Sequence, residues 1–181
     1  MSAPSPGNSR SARYGSGKAV RRIEDDALLT GRGRFADDFS LPGQALLHVL
    51  RSPHPHARIA SIDTKGAAAM PGVVAILTGE DLVREGVGPL VSSADFKRAD
   101  GSPTAAPPHH ALAVGTVRYV GEAVAAIVAE TMHQARDAAE AIDVRYQPLL
   151  SVAGASAAVA SGAPLVWPAA TGNVACEMRH G

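Results

Sequence analysis

The chain has 181 residues, 46% of them hydrophobic and only 4% aromatic, and its 17 basic and 17 acidic side chains cancel to a formal charge of zero. That is a globular composition of ordinary single-domain size, and because much of the apolar fraction is Ala and Val, the core must be built from small, closely packed side chains. The balanced charge, without a basic stripe, gives no footprint for nucleic acid. The single cysteine, Cys176, excludes an intrachain disulfide, and no segment approaches the roughly 18 apolar residues of a membrane span.

Residues 1–17 are Ser, Pro, Gly and Arg with almost no apolar content and read as a disordered tail. They hold no apolar stretch of the secretory kind. Arg21-Arg22 is followed by Ile23-Glu24-Asp25-Asp26, whose acidity opposes a twin-arginine export signal, so a cytoplasmic location is expected. Residues 18–42 are turn-rich, with Gly31, Gly33 and Pro42 among the apolar anchors Ile23, Leu28, Leu29, Phe35, Phe39 and Leu41. They are expected to form an extended arm packed over the domain.

Ala45 to Leu50 is apolar on both alternating faces, as in a strand covered on both sides, and Arg58 to Asp63 forms a second strand. Thr64 is placed to cap a short helix running to Met70, which Pro71-Gly72 ends. Val73 to Leu77 is a third strand, bounded by Gly72 and Thr78-Gly79. Residues 83–110, with three glycines and four prolines, form a long loop of the kind that is uncommon unless functional or disordered. Short strands follow at Leu112 to Val114 and Val117 to Val120, then a strand apolar on both faces at Val124 to Ala129. Thr131 with Gln134 spells a capping box, opening a helix with Met132, Ala135, Ala139 and Ile142 on one stripe. Asp143 to Tyr146 alternates as a half-exposed strand that Pro148 stops. Ser151 to Ala163 is Ala-rich but interrupted by Gly154 and Gly162, and the remainder reads as extended.

Strand–helix–strand therefore occurs twice. The prediction is an α+β domain with a small mixed sheet and two packed helices over residues 43–150, flanked by the extended N-terminal arm and by a segment, 151–181, that serves as a C-terminal linker.

Two blocks carry a family resemblance. The first is Arg51-Ser52-Pro53-His54-Pro55-His56-Ala57-Arg58-Ile59 with Ile62-Asp63, followed by Met70-Pro71-Gly72-Val73-Val74-Ala75-Ile76-Leu77-Thr78 and Asp81-Leu82. The second is Val117-Arg118-Tyr119-Val120-Gly121-Glu122, then Val124 to Thr131, Ala135 to Glu140, and Tyr146-Gln147-Pro148-Leu149. Upstream, Arg22-Ile23-Glu24-Asp25, Leu28 to Gly33 and Asp37-Asp38 fit the same pattern. Together they resemble the N-terminal α/β hammerhead domain of the large, molybdopterin-binding subunit of the xanthine dehydrogenase, aldehyde oxidase and carbon monoxide dehydrogenase family. Ala123, Asp26, Gln147 and Leu150 depart from that pattern where proline or glutamate is usual, which changes turn stiffness rather than chemistry.

The resemblance implies a hydroxylase, an oxidoreductase working with a molybdenum cofactor, FAD and two [2Fe-2S] clusters, none of them bound by this chain. They are expected on partners: the remaining large-subunit molybdenum-cofactor domain, towards which 151–181 would lead, an FAD subunit and an iron–sulfur subunit. Neither nucleic acid nor membrane is expected as a partner.

His54 and His56 are spaced as two possible metal ligands, but the intervening prolines suit a stiff structural turn. His109-His110 closes the long loop without assignable partner ligands. Gly31-Arg32-Gly33 resembles a fragment of a phosphate loop but lacks a preceding strand, so a turn is favoured. Glu122 and Glu130 flank a strand, too far apart to share a substrate, with Glu122 assigned to a turn or an interdomain contact. Cys176 has no base to activate it. No catalytic, cofactor-binding or metal-ligating residue is therefore assigned. The expected role is a non-catalytic scaffold in a heteromeric molybdenum hydroxylase, with loop 83–110 and arm 18–42 as docking surfaces. The alternative is a stand-alone structural module or truncated remnant without redox function, and a self-contained enzyme with histidine-bound metal ranks last.

Overall fold

Strand-forming runs of Val, Ile, Leu and Ala alternate with short helices, two of which start at a threonine whose side chain caps the first turn. A computed structural model describes residues 22–90, 97 and 101–176 of the chain. The elements in chain order are α1 (Asp25–Leu29), a 3-10 turn (Ala36–Asp38), β1 (Leu46–Arg51), β2 (Ala57–Asp63), α2 (Lys65–Ala68), β3 (Val73–Thr78), α3 (Gly79–Arg84), β4 (Thr116–Val117), β5 (Ala123–Ala129), α4 (Met132–Glu140), β6 (Asp143–Pro148) and α5 (Ala155–Ala158).

The chain divides after Pro42 into two units. The described part of the first, expected as an irregular arm, holds α1 and the 3-10 turn, and neither has a buried residue. Asp25 and Asp26 place negative charge in the first turn of α1, where the helix dipole favours it.

The second unit contains the sheets. The α+β class and hammerhead architecture hold, but the expected small mixed sheet is two three-stranded antiparallel sheets, ordered β1-β5-β3 and β4-β2-β6. The reason lies in the two strand–helix–strand units. Each crosses from one sheet to the other, β2–α2–β3 outward and β5–α4–β6 back, so neither generates the parallel neighbours that a crossover within one sheet would.

The main core lies between the first sheet and α4. Ala125, Ile127 and Ala129 of β5 meet Ala135, Ala138 and Ala139 of α4, with Ala67 and Ile142 completing the buried set. Alanine on both sides lets helix and sheet approach closely, which accounts for a core nearly free of aromatics. Thr131 starts α4: its Oγ1 accepts from the Gln134 N–H at 3.3 Å and donates to Gln134 Oε1 at 2.8 Å. A smaller cluster, Ala57, Ala113, Val117 and Val124, serves the second sheet, and Ile62 and Val144 touch both clusters.

Several local expectations shift. Thr64 makes no side-chain cap; Asp63 Oδ1 instead accepts from the Lys65 N–H at 3.1 Å. Leu112 to Val114 is not a strand, although Leu112 and Ala113 are buried and the Ala113 N–H donates to Ala123 O at 2.7 Å. The expected strand Val117 to Val120 stops after Val117, because the chain turns at Gly121 (φ 88°), leaving Tyr119 and Val120 exposed. α3 was not anticipated, and the loop expected at 83–110 lies partly outside the described residues.

Candidate functional site

The turn between β1 and β2 carries the two histidines that looked most like ligands. Ser52, 2% exposed, organises it. Its Oγ accepts from the His54 N–H at 3.0 Å and donates to the His54 carbonyl at 3.1 Å. Its own N–H donates to Glu122 O at 2.9 Å, and its carbonyl accepts from the Gly121 N–H at 2.7 Å. The His54 ring lies tilted against Tyr146, centroids 4.8 Å apart, whereas His56 Nδ1 donates to the Leu150 carbonyl at 2.8 Å. The two imidazoles thus serve separate neighbours. Burial raises the Tyr146 hydroxyl pKa, partly offset by the Ser52 hydroxyl.

The other candidates also find local explanations. Gly31 and Arg32 close α1: the Gly31 N–H donates to Leu28 O at 3.3 Å and the Arg32 N–H to Ala27 O at 2.8 Å, with Gly31 at φ 69°. This is a helix C-terminal cap, whose geometry collects carbonyls rather than the N–H groups an anion needs. Glu130 is exposed at one end of β5 and Glu122 buried at the other, roughly 25 Å apart at about 3.3 Å per residue. Cys176 is a free, exposed thiol.

What the sequence reading missed is a polar corner around Arg118. Glu122, 5% exposed, uses its carboxylate to accept the Arg118 backbone N–H, fixing the turn between β4 and β5. The Arg118 side chain folds back so that Nη1 donates to Thr116 O at 2.9 Å, and its guanidinium carbon sits 3.6 Å from the Trp167 ring centroid. Burial lowers the Arg118 pKa and the Glu122 charge opposes that shift. Among the described residues its Nε, though buried, has no hydrogen-bond partner. Beside it opens a cavity of about 220 Å3 lined by Pro108, His109, His110, Val114, Glu122 and Trp167, among others. His109 is exposed, as expected of a loop residue, and His110 is half-buried; both also line this cavity. The signal for this corner was present in Val117-Arg118-Tyr119-Val120-Gly121-Glu122, but nothing in the local pattern tied Arg118 to a tryptophan 49 positions later.

The donor chemistry does not fit an iron–sulfur cluster, which takes about four protein ligands, mostly thiolates; the chain has one cysteine. Among the described residues no three His, Cys, Asp or Glu side chains converge as metal ligands, and no helix is long and apolar enough to cross a membrane.

A family model described as the a/b hammerhead domain of aldehyde oxidase and xanthine dehydrogenase matches residues 30–150. The 6-hydroxypseudooxynicotine dehydrogenase complex subunit gamma of Paenarthrobacter nicotinovorans is 38% identical over 74% of this chain and 16% of its own length. The carbon monoxide dehydrogenase large chain of Afipia carboxidovorans is 36% identical over 84% of this chain and 17% of its own. Among solved structures, quinoline 2-oxidoreductase from Pseudomonas putida 86 superposes with a TM-score of 0.70 at 40% identity, covering 88% of this chain and 19% of that one. The chain thus spans about one sixth of the length of the curated relatives it matches.

Proposed function

This chain belongs to the aldehyde oxidase and xanthine dehydrogenase a/b hammerhead family, and from that premise we propose that it is the non-catalytic scaffold portion of a molybdenum-containing hydroxylase. In this reading residues 43–150 are the hammerhead, 18–42 an arm and 151–181 a linker. The molybdenum cofactor, FAD and [2Fe-2S] clusters sit on partner chains: the remaining large-subunit domain, an FAD subunit and an iron–sulfur subunit. A cytoplasmic location goes with this reading. Relatives named as a complex subunit and as a large chain support a multi-chain setting.

The observation that carries the proposal is the outer face of the first sheet. Cross-strand registers place Leu47, Val128 and Ala75 in one row, and Val49, Ala126 and Leu77 in the next. Both rows point away from α4, because the alternate positions Ala125, Ile127 and Ala129 face it. Leu47 is 53% exposed and Leu77 37%. A central strand apolar on both faces belongs in a sheet covered on both sides, and the cover proposed here is the molybdenum-binding remainder of the large subunit.

The test is to express the tagged chain in its native cells, isolate it, and measure molybdenum content and partner stoichiometry. A stoichiometric molybdenum-bearing partner is expected. Leu47→Asp should lower recovery at least about tenfold, equivalent to about 1.4 kcal/mol of association energy, while the variant chain stays folded. A lone, molybdenum-free monomer would overturn the proposal.

A further inference from the structure

Residues 149–176 give no side chain to either core cluster, and their helix, α5, has no buried residue. They are nevertheless tied to the rest of the second unit at three places. At the root, the Leu149 N–H donates to His56 O at 2.9 Å and the Leu150 carbonyl accepts from His56 Nδ1 at 2.8 Å. In the middle, the Trp167 ring lies against the Arg118 guanidinium at 3.6 Å. At the far end, Ala175 O accepts from the Ala105 N–H at 3.2 Å. Between these ties Asn173 staples the segment to itself. Its Oδ1 accepts from the Val166 N–H, and its Nδ2 donates to Ala158 O and to Pro164 O, each at 3.0 Å. Both amide donors meet carbonyls and the oxygen meets an N–H, so every partner suits the group it faces.

We propose that residues 155–176 are a clasp, latched by Trp167 on Arg118 and held in one piece by Asn173, that swings open as a unit while both sheets stay folded. Segments with few buried apolar contacts open well before the core does, and this one has none in either cluster. The root stays pinned on His56, and Gly154, at φ 99°, is the hinge. The latch is the weak point. Trp167 lines three cavities, of about 670, 220 and 240 Å3, and empty space on a side forfeits the dispersion contacts that packed atoms would give. The Arg118 stack is thereby its main anchor. Opening strips the indole from the guanidinium and removes the wall that the three cavities share.

The scaffold reading uses residues 151–181 only as a linker. The clasp rests on contacts within this chain and not on that reading.

Trp167 is the chain's only tryptophan, so its emission follows the latch, whereas far-UV circular dichroism follows the sheets. Both are recorded on the isolated full chain through one urea titration. The expected result is a Trp167 transition at lower urea than the dichroism transition. Arg118→Leu takes the cation out of the stack and should raise the opening equilibrium, read from Trp167 emission, at least about fivefold. Asn173→Asp keeps the side-chain shape but sets a carboxylate oxygen against two carbonyl oxygens. It should lower the Trp167 midpoint and leave the dichroism midpoint in place. Asn173 lies outside both sheets, so this variant reads the clasp even where Arg118→Leu disturbs the turn between β4 and β5. Coincident transitions in the unmodified chain would overturn the clasp, as would Trp167 emission already that of solvent-exposed indole without urea. So would Asn173→Asp shifting both midpoints equally, or folded Arg118→Leu leaving the Trp167 transition unchanged. The molybdenum co-isolation experiment stands apart from these outcomes, so either proposal can fail alone.

Discussion

The two sheets have the same strand number and the same antiparallel pairing, yet opposite outer surfaces. In β4-β2-β6, one row pairs Ile59 with Tyr146 and another Ile62 with Val144, packed inward, while Arg58 opposite Gln147 and Ser61 opposite Arg145 make a polar outside. That is a sheet finished against water. In β1-β5-β3 the inner face is sealed by α4, but the outer rows run Leu47–Val128–Ala75 and Val49–Ala126–Leu77 without a polar residue. An amphipathic sheet needs nothing more, and a doubly apolar one does. The contrast within one small domain separates a polar outer surface from an apolar one, and the scaffold proposal assigns the apolar one to a neighbour.

The largest effect should come from the sealed face. Ile127 is fully buried at the centre of β5, among alanines of α4 too short to reach into a vacated space. Ile127→Ala should destabilise the domain by about 2–5 kcal/mol, read from the urea midpoint. A loss under about 1 kcal/mol would mean that the α4 interface is loose and that the contrast between the two faces of this sheet is overstated.

Next comes the seam where α3 leaves the first sheet. A Cβ added at Gly79 would lie 2.4 Å from the Ala113 carbonyl oxygen, and that neighbour is backbone, which cannot rotate away. Gly79→Ala should cost about 1–3 kcal/mol by forcing the two segments apart, measured the same way. Little or no loss would show that segment 112–114 is not held against α3.

How much of this the sequence announced depends on the range of the interactions. β1, β2, β3, β5, β6 and α4 were readable because hydrophobic periodicity and capping residues act within one element. The hammerhead assignment came from the combined spacing of the two blocks. The doubling of the sheet was not readable: whether a strand–helix–strand unit returns to its own sheet or crosses to another depends on where Ile62 and Val144 pack, which spacing does not encode. α3 escaped because Thr78 was read as the end of a strand, although it is also the first residue of a T-x-x-D capping box. The Arg118 corner escaped because, although Glu122 lies only four positions away, Trp167 reaches it from a distant position that no local pattern ties to it.

That capping box gives a pH-dependent prediction. Asp81 Oδ2 accepts from the Thr78 N–H at 2.9 Å and from its hydroxyl at 2.7 Å, and Arg84 lies 2.9 Å from Oδ1. These contacts, the Thr78 hydroxyl foremost, hold the Asp81 pKa below its usual 3.8. A carboxylate with a depressed folded-state pKa stabilises the fold fully above its unfolded value and loses that contribution as pH falls through the folded one. Asp81→Asn should therefore cost about 0.5–2 kcal/mol at neutral pH, and the gap to the unmodified chain should narrow as pH drops below about 3.8. A gap that stays constant from pH 7 to pH 3 would show that the carboxylate charge contributes nothing to the cap.

The smallest stability effects fall on the two outer faces, and there the comparison is sharpest. Arg145→Asp, on the polar face, breaks an exposed 3.5 Å pair with Asp143, and Leu47→Asp changes a half-exposed edge residue on the apolar one. In the isolated chain each should shift stability by no more than about 0.5 kcal/mol. Their surfaces should nevertheless respond differently. An apolar dye such as ANS binds contiguous exposed hydrophobic area, so its fluorescence with the folded chain should fall on Leu47→Asp and stay unchanged on Arg145→Asp. Equal responses would erase the distinction between the faces, because the outer rows of β1-β5-β3 would then offer no continuous apolar surface for a partner to cover.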